Sequence, residues 1–231
     1  MTGRTAVVTG AGGGIGAAVT ARLRERGWSV ASISQHPAAG VDRDCVLDVR
    51  DAAAMTAAVA EISEHLGPIE AAVSCAGHYD ETSALEIDPE SWNAMLRVHV
   101  GGLLNLAQAV LPGMLERGSG RLVGIASERA VGGGSNDAHY ASAKGAGLSL
   151  LRSIAAELAG SGVLVNAVAP GPCDTPLLAH DSWERQEAHL RTLPVGRIAL
   201  PSEVAEMVRS LVEDDVHMHG DVLSVNSGTV I

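Results

Sequence analysis

The sequence predicts an α/β fold in which helices cover both faces of a parallel sheet. Short runs rich in Val, Ile and Ala alternate with longer Ala- and Leu-rich stretches along the whole chain. Several short runs are continuously apolar, as expected for parallel strands that are buried on both faces. No linker, internal repeat or low-complexity tract divides the 231 residues. These observations together predict one doubly wound domain spanning residues 1–231.

The elements follow in order along the chain. The predicted strands are Thr5–Thr9, Ser29–Ser34, Cys45–Asp48, Ala71–Cys75, Arg121–Ala126, Val163–Val168 and Val222–Val225. The predicted helices are Ile15–Arg26, Asp51–His65, Pro89–Leu115, Ala138–Leu158 and Pro201–Glu213. Only about ten residues separate the second and third strands, which leaves little room for a crossover helix between them.

Composition excludes several functions. The chain has 27 acidic and 16 basic residues and a net charge of -11, so it is a poor partner for nucleic acid or anionic membranes. We find no apolar run approaching the roughly 20 residues of a membrane span, and no signal-peptide layout at the N-terminus. The scattered residues Cys45, Cys75 and Cys173 indicate a reducing cytoplasm. His217 and His219 lack a third ligand at a suggestive spacing, so we interpret them as loop residues and predict no metal site.

A glycine-rich turn follows the first strand, where Thr9 to Gly16 read TGAGGGIG. Glycine permits positive φ and close approach of a ligand to the backbone. The N-terminus of the following helix offers free N–H groups and a positive dipole end. Position and composition together predict a pyrophosphate site with the spacing G-x-x-x-G-x-G, in which Gly10, Gly14 and Gly16 are in register.

A second group of residues indicates proton-transfer chemistry. Tyr140 and Lys144 are four residues apart and therefore share one face of a predicted helix. A nearby ammonium favours the phenolate and lowers the pKa of a tyrosine, so such a pair can exchange a proton with an alcohol or carbonyl oxygen. Ser127 ends the strand before this helix, at the sheet edge that borders ligands in such folds. Each of these features alone is a weak signal.

Together, the glycine-rich turn, Ser127, Tyr140 and Lys144 resemble the short-chain dehydrogenase/reductase family over essentially the whole chain. The stretches Ser74–Gly77 and Asn166–Pro176 are similar to later family motifs. The resemblance implies a Rossmann-type sheet of about seven parallel strands that binds NAD(P). It also implies a set of residues around the cofactor: Thr9, Gly10, Gly12, Gly13, Gly14, Ile15, Gly16, Ser34, Gln35, His36, Asp48, Val49, Cys75, Ala76, Gly77, Tyr140, Lys144, Pro170, Gly171, Cys173 and Thr175.

The resemblance also implies catalytic roles. Tyr140 is expected to act as general acid/base, Lys144 to lower its pKa and bind the nicotinamide ribose, and Ser127 to orient the substrate oxygen. The family usually has an asparagine in the preceding long helix, and His99 stands at the matching position. His99 is either a replacement in the proton relay, with an altered pH dependence, or a histidine satisfied within its helix.

The preferred cofactor is the next question. NAD-using members of the family often have an acidic residue at the end of the second strand, where this chain has Ser34, Gln35 and His36. Because no carboxylate there would repel a 2′-phosphate, we expect NADP(H) rather than NAD(H). The family's usual basic helpers are absent, and His36 or Arg43 is expected to serve instead.

The substrate is left open by the sequence. We expect residues 176–191 to form a lid and Gly132–Asn136 to form the opposite wall. The chain is similar both to 3-oxoacyl and polyketide ketoreductases and to cyclic alcohol or dihydrodiol dehydrogenases, so either is a candidate activity on a secondary alcohol or ketone. A non-catalytic dinucleotide-binding sensor or assembly protein is the alternative. Family members pair long helices between subunits, which predicts a homotetramer or homodimer.

Overall fold

The computed structural model describes residues 3–213 and 218–230. They form one parallel sheet of seven strands in the order β3-β2-β1-β4-β5-β6-β7, which confirms the predicted doubly wound α/β fold. The strands are β1 (Thr5–Thr9), β2 (Ser29–Ser34), β3 (Arg43–Val46), β4 (Ile69–Ser74), β5 (Gly120–Ile125), β6 (Val163–Pro170) and β7 (Val222–Val225).

Helices connect these strands and cover the sheet. They are α1 (Gly14–Glu25), α2 (Ala52–Leu66), α3 (Pro89–Leu96), α4 (Gly102–Arg117), α5 (Arg129–Gly132), α6 (Ala138–Glu157), α7 (Glu187–Leu190) and α8 (Pro201–Glu213). A π-helical turn, Arg97–Gly101, joins α3 to α4, and a 3-10 turn, Trp183–Arg185, precedes α7.

The sheet separates two hydrophobic cores. Side chains of β1 alternate between them, because successive residues of a strand point to opposite faces. Val7 belongs to the core under α2, α4 and α6, whereas Ala6 and Val8 belong to the core under α1 and α8. Both cores consist mainly of Ala, Val, Leu, Ile and Met, as the near absence of aromatic residues requires.

The strand order places a crevice at the carboxyl end of β1. The chain leaves β1 towards β2 on one side, whereas β4 pairs with β1 on the other side. Ligands of doubly wound sheets bind at such switch points. Residues 35–42 between β2 and β3 contain no helix, as their number predicted, so no helix covers the sheet within this connection.

Two predicted elements differ from the structure. The third strand runs from Arg43 to Val46 rather than from Cys45 to Asp48, because it pairs only with the end of β2 and Asp48 already belongs to the following turn. The predicted single helix Pro89–Leu115 is interrupted by the π turn Arg97–Gly101 and extends to Arg117. Hydrophobic periodicity does not reveal one extra residue in a helical turn.

The prediction that no stretch approaches a membrane span is also wrong by length and composition. The continuous helical stretch Pro89–Arg117 has 29 residues and is apolar enough to cross a bilayer. This is weak support for a membrane protein, because core helices pass the same test. One face of α4 packs into the core through Leu103, Leu106 and Val110, whereas Leu104 and Leu115 on its outer face are exposed.

Candidate active site

A cleft of about 680 Å³ lies at the carboxyl edge of the sheet. It is bordered by the glycine-rich turn after β1 and by the ends of β2, β4, β5 and β6. Every residue of the predicted cofactor set except Thr9 lines this cleft, and so do Ser127 and His99. Residues that are far apart in the sequence are therefore brought to one site.

The glycine-rich turn requires glycine at two positions for different reasons. Gly10 has a φ of +68°, and a Cβ there would lie 2.9 Å from the backbone of Ala76. A Cβ on Gly16 would collide with the carbonyl oxygen of Gly10. The turn can therefore pack tightly between β4 and α1. No side chain caps the N-terminus of α1, so its first N–H groups are left to a ligand in the cleft.

Thr9 supports this turn without lining the cleft. The residue is 1% exposed, and its Oγ1 accepts hydrogen bonds from the backbone N–H groups of Cys75 and Ala76, both at 3.1 Å. Its hydroxyl thus joins the end of β1 to the loop after β4. Thr9 positions the cofactor-binding backbone rather than contacting the ligand space itself.

Charged and polar side chains meet where β2 and β3 end. Asp48 accepts hydrogen bonds from Gln35 at 2.9 Å and from Arg50, whose Nη2 lies 2.5 Å from Asp48 Oδ2. The Arg50 hydrogen bonds lower the pKa of Asp48 to about 2. Arg50 lines the cleft and was not predicted. Arg43, which was predicted to help bind a phosphate, pairs with Glu61 and does not line the cleft.

Ser127, Tyr140 and Lys144 converge at the other end of the cleft. The Ser127 hydroxyl lies near the Tyr140 phenol and lowers its pKa, and Lys144 Nζ lies 5.6 Å from the centre of the Tyr140 ring. Lys144 donates a hydrogen bond of 2.7 Å to the carbonyl oxygen of Ile125. The tyrosine and lysine lie on one face of α6, as their spacing predicts, and the serine follows β5.

Burial dominates the protonation of these groups. It raises the pKa of Tyr140 to about 12, against the lowering by Ser127, and it lowers the pKa of Lys144 to about 8. The net shift of the Tyr140 pKa is therefore upward, so the lowering expected from Lys144 does not dominate. Tyr140 holds its proton at neutral pH, and Lys144 remains mostly a cation there.

His99 lies on the π turn between α3 and α4. Its Nε2 is 2.8 Å from the carbonyl oxygen of His78, and its ring meets the Tyr140 ring edge-on at 5.5 Å. Burial and the Lys144 charge lower the pKa of His99 to about 2, so the ring is neutral. An internal cavity of about 20 Å³ between His99 and Lys144 is large enough for one water molecule.

The segment after β6 bounds the cleft from above. Thr175 lines the cleft, and a Cβ on Gly14 would lie 3.3 Å from its side chain. Arg185 fastens the segment by donating to Asp174 at 2.6 Å and to the carbonyl oxygens of Thr175 and Leu178. Pro176, Leu177 and Leu178 also line the cleft.

The opposite wall differs from the prediction. Gly132–Asn136 does not line the cleft, because the chain after Ser127 turns at once into α5 and carries those glycines away. Glu128 and Arg129 line the cleft instead, together with Glu184 from the 3-10 turn. Sequence reasoning missed Glu128 and Arg129, although a charged pair directly after Ser127 was a visible signal, and it included Glu184 only as one residue of the predicted lid.

Other singled-out residues have structural contacts. His139, which precedes Tyr140 in the sequence, is 1% exposed and does not line the cleft. His219 bridges backbone groups of Val165 and Ala155, whereas His217 lies outside the described residues. Asn166 binds the backbone of Met218 and Asp221 and so fixes the connection before β7.

Comparison with known proteins assigns the chain to a family. The family model described as enoyl-(acyl carrier protein) reductase, a member of the short-chain dehydrogenase/reductases, matches residues 10–230. The chain belongs to the short-chain dehydrogenase/reductase family. It is accordingly an NAD(P)-dependent oxidoreductase, which excludes the non-catalytic alternative raised by the sequence.

Several relatives in this family match over nearly the full length. The short-chain reductase protein NovJ of Streptomyces niveus is 34% identical, over 96% of this chain and 92% of the relative. The acetoacetyl-CoA reductase of Shinella zoogloeoides is 32% identical, over 97% and 98%. Among solved structures, ligand-free Thermoplasma acidophilum aldohexose dehydrogenase superposes with a TM-score of 0.91 at 26% identity, covering 98% of this chain and 93% of that one.

Proposed function

We propose that this oxidoreductase transfers a hydride between NADP(H) and a secondary alcohol or ketone, with Tyr140 as the general acid/base. The observation that carries the proposal is the convergence of Ser127, Tyr140 and Lys144 in the cleft that the glycine-rich turn also borders. The relatives include 3-oxoacyl-(acyl-carrier-protein) and acetoacetyl-CoA reductases, which supports reduction of a ketone.

The cleft fits a dinucleotide. The turn at Gly10, Gly14 and Gly16 leaves no side chain between the N-terminus of α1 and the ligand space. Asp48 and Val49 border the adenosine end, and Thr175 borders the nicotinamide end. The bound cofactor supplies the hydride, and these residues hold and orient it.

Proton transfer is the task of the chain's own side chains. Ser127 lies near the Tyr140 hydroxyl and lowers its pKa, and we expect it to orient the substrate oxygen against that hydroxyl. In ketone reduction, the phenol proton passes from Tyr140 Oη to the carbonyl oxygen as the carbon accepts the hydride. In alcohol oxidation, the phenolate accepts the proton. The Lys144 cation stabilises that phenolate, and the small cavity shared with neutral His99 offers a path for reprotonation.

NADP(H) is proposed over NAD(H) for electrostatic reasons. Ser34, Gln35 and His36 present no carboxylate at the end of β2, and Arg50 adds a guanidinium to the same end of the cleft. The Asp48 charge beside Arg50 is already neutralised by that guanidinium. A 2′-phosphate would find a partner there and no unpaired anion.

We further propose that residues 176–191 close over substrate as a lid and that the protein forms a homotetramer or homodimer in the cytoplasm. The exposed Leu104 and Leu115 on α4 support self-association, and the free thiols of Cys45, Cys75 and Cys173 support a reducing compartment.

A panel of secondary alcohols and ketones, assayed with both cofactors by the absorbance of reduced nicotinamide, tests the function. Tyr140→Phe is expected to lose at least about 100-fold in kcat, as removal of a general acid does, and to bind cofactor as the wild type does. Turnover by the variant equal to that of the wild type would refute the role of Tyr140.

A further inference from the structure

Three charged side chains form one wall of the cleft beyond Ser127. This charged wall consists of Glu128, Arg129 and Glu184. Arg129 Nη2 lies 3.0 Å from Glu184 Oε1, and its Nε lies 3.4 Å from Asp137 behind the wall. Glu128, Glu184 and Asp137 are each at most 7% exposed. Three buried carboxylates therefore lie around one guanidinium, which forms ion pairs with two of them.

Glu128 is the member without an ion pair among the described residues. Its Oε2 is buried and has no hydrogen-bond partner there. Buried polar atoms are nearly always satisfied, so such an atom in a ligand cleft needs an explanation. Burial raises the pKa of Glu128 to about 7, against the lowering by Arg129, and this shift measures how poorly its charge is compensated.

The backbone fixes Glu128 next to the reacting groups. Its N–H donates to the carbonyl oxygen of Pro170 at 2.9 Å, which holds it between Ser127 and the segment expected to grip the nicotinamide. Gly171 leaves room for the side chain, because a Cβ there would lie 2.9 Å from Glu128 Oε2. Glu128 thus directly follows the serine that we expect to orient the substrate oxygen, and both residues line the same cleft.

This wall suits some ligand chemistries better than others. A substrate carboxylate would face three buried acids with only one shared cation, which is unfavourable. An ammonium would have to bring another charge into a buried site. A hydroxyl group is neutral, donates to a carboxylate, and accepts from Glu128 when that group is protonated, so it fits either protonation state.

We propose that Glu128 is a specificity-determining residue that hydrogen-bonds a substrate hydroxyl close to the reacting carbon. The substrate class is then a diol or hydroxyketone rather than an acid or an unsubstituted ketone. This inference rests on the proposed alcohol–ketone chemistry and goes beyond it by naming a second substrate group and the residue that holds it.

The test compares vicinal cyclohexanediol with cyclohexanol, each oxidised with NADP⁺. The wild type is expected to prefer the diol in kcat/KM. Glu128→Ala is expected to reduce that preference about tenfold or more, as loss of a hydrogen bond to a charged group does, with little change for cyclohexanol. Glu128→Gln keeps an acceptor and is expected to lose only a few-fold. Glu64→Ala removes an exposed acid of α2 that does not line the cleft, and it serves as the matched control.

The outcomes separate the inference from the proposed function. An undiminished diol preference in Glu128→Ala overturns the inference while the function stands. A wild-type preference for the matching amino alcohol over the diol overturns the hydroxyl assignment. If the wild type oxidises neither probe, calorimetry measures the affinity of each probe for the enzyme with NADP⁺. A diol affinity that falls in the Glu128 variants, while the cyclohexanol affinity does not, supports the inference. A diol affinity equal in the wild type and the variants overturns it. If Glu128→Ala does not fold, Glu128→Gln carries the comparison.

Discussion

At the scale of single residues, the proposed adenosine end of the cleft includes one arginine that the sequence pattern did not single out. Arg50 follows the Asp-Val pair of the family resemblance and has no motif of its own. Its position beside Gln35 becomes apparent only because both side chains bind Asp48. Gln35 and Arg50 meet at Asp48 only in the tertiary fold, because β2 and β3 must first pair.

Removing Arg50 should therefore change cofactor choice. Arg50→Ala is expected to lower kcat/KM with NADP(H) about tenfold, since a charged hydrogen bond to phosphate is worth about 1.5–3 kcal/mol, and to leave NAD(H) kinetics nearly unchanged. Arg43→Ala is the control, because Arg43 pairs with Glu61 outside the cleft. Equal losses with both cofactors would contradict the assignment.

Glu128 and Glu184, on the proposed substrate side of the cleft, also could not be singled out from the sequence pattern. They are 56 positions apart in the sequence and belong to one wall only because the fold brings the 3-10 turn into contact with the start of α5. In contrast, the positions of Ser127, Tyr140 and Lys144 followed from strand and helix placement together with the family resemblance. Local pattern predicted Ser127, Tyr140 and Lys144, and only the fold revealed the charged wall of Glu128, Arg129 and Glu184.

At the scale of elements, the glycine-rich turn is the most constrained connection. A Cβ on Gly16 collides with the Gly10 carbonyl oxygen, so Gly16→Ala must displace either the turn or the first turn of α1. We expect the KM for the cofactor to rise at least about tenfold, with a smaller loss of thermal stability. Gly113→Ala on α4 is the control, since its Cβ meets only the far end of Arg117. An unchanged KM would show that the turn adapts.

The buried carboxylate of Glu213 links the end of α8 to the segment between α1 and β2. Glu213 at the end of α8 accepts from Trp28 before β2, from Arg26 after α1 and from Arg209 within α8. Burial alone would raise its pKa, but these hydrogen bonds outweigh it and hold the pKa near 2, compared with 4.5 for a free glutamate. This interaction was not predicted, because it depends on how α1 and α8 pack.

Glu213 should stabilise the fold in a pH-dependent manner. A depressed pKa gives stability that is complete above pH 4.5 and is lost as the pH falls towards 2. Glu213→Gln is expected to lower the free energy of unfolding by about 1–3 kcal/mol at pH 7, and by less at pH 3, in urea titrations. Glu187→Gln, in an exposed pair with Arg191, should change it by under about 0.5 kcal/mol. A pH-independent loss would refute the linkage.

Sequence periodicity predicted the strands and long helices but not the short helical turns. The order of strands and long helices followed from alternation of apolar runs. The π turn did not, and neither did α5, α7 and the 3-10 turn, because each is five residues or shorter and falls below any periodicity window. These short elements nevertheless carry His99, Arg129 and Glu184.

At the scale of the whole molecule, the outer face of α4 predicts association. Leu104 and Leu115 are 37% and 41% exposed and lie about three turns apart on the same side of the helix. Light scattering is expected to give a mass that is a multiple of the 23.6 kDa chain. The double variant Leu104→Glu, Leu115→Glu should shift it to one chain.

The matched control for association is Leu85→Glu, since Leu85 is 98% exposed but lies outside α4. It should leave the mass unchanged. A wild-type mass of one chain, or dissociation by the control alone, would place the contact elsewhere or exclude it.

Trp183, in the proposed lid segment, also provides an intrinsic fluorescence probe. Of the three tryptophans in the chain, Trp28 is buried beside Glu213, and Trp92 lies on α3 away from the cleft. Trp183 is 48% exposed, and its ring meets His189 edge-on at 4.5 Å in the segment that includes Glu184. Closure of that segment would change the solvent around a single indole. Its fluorescence can therefore time the entry of substrate and the release of product within one turnover, without an added label.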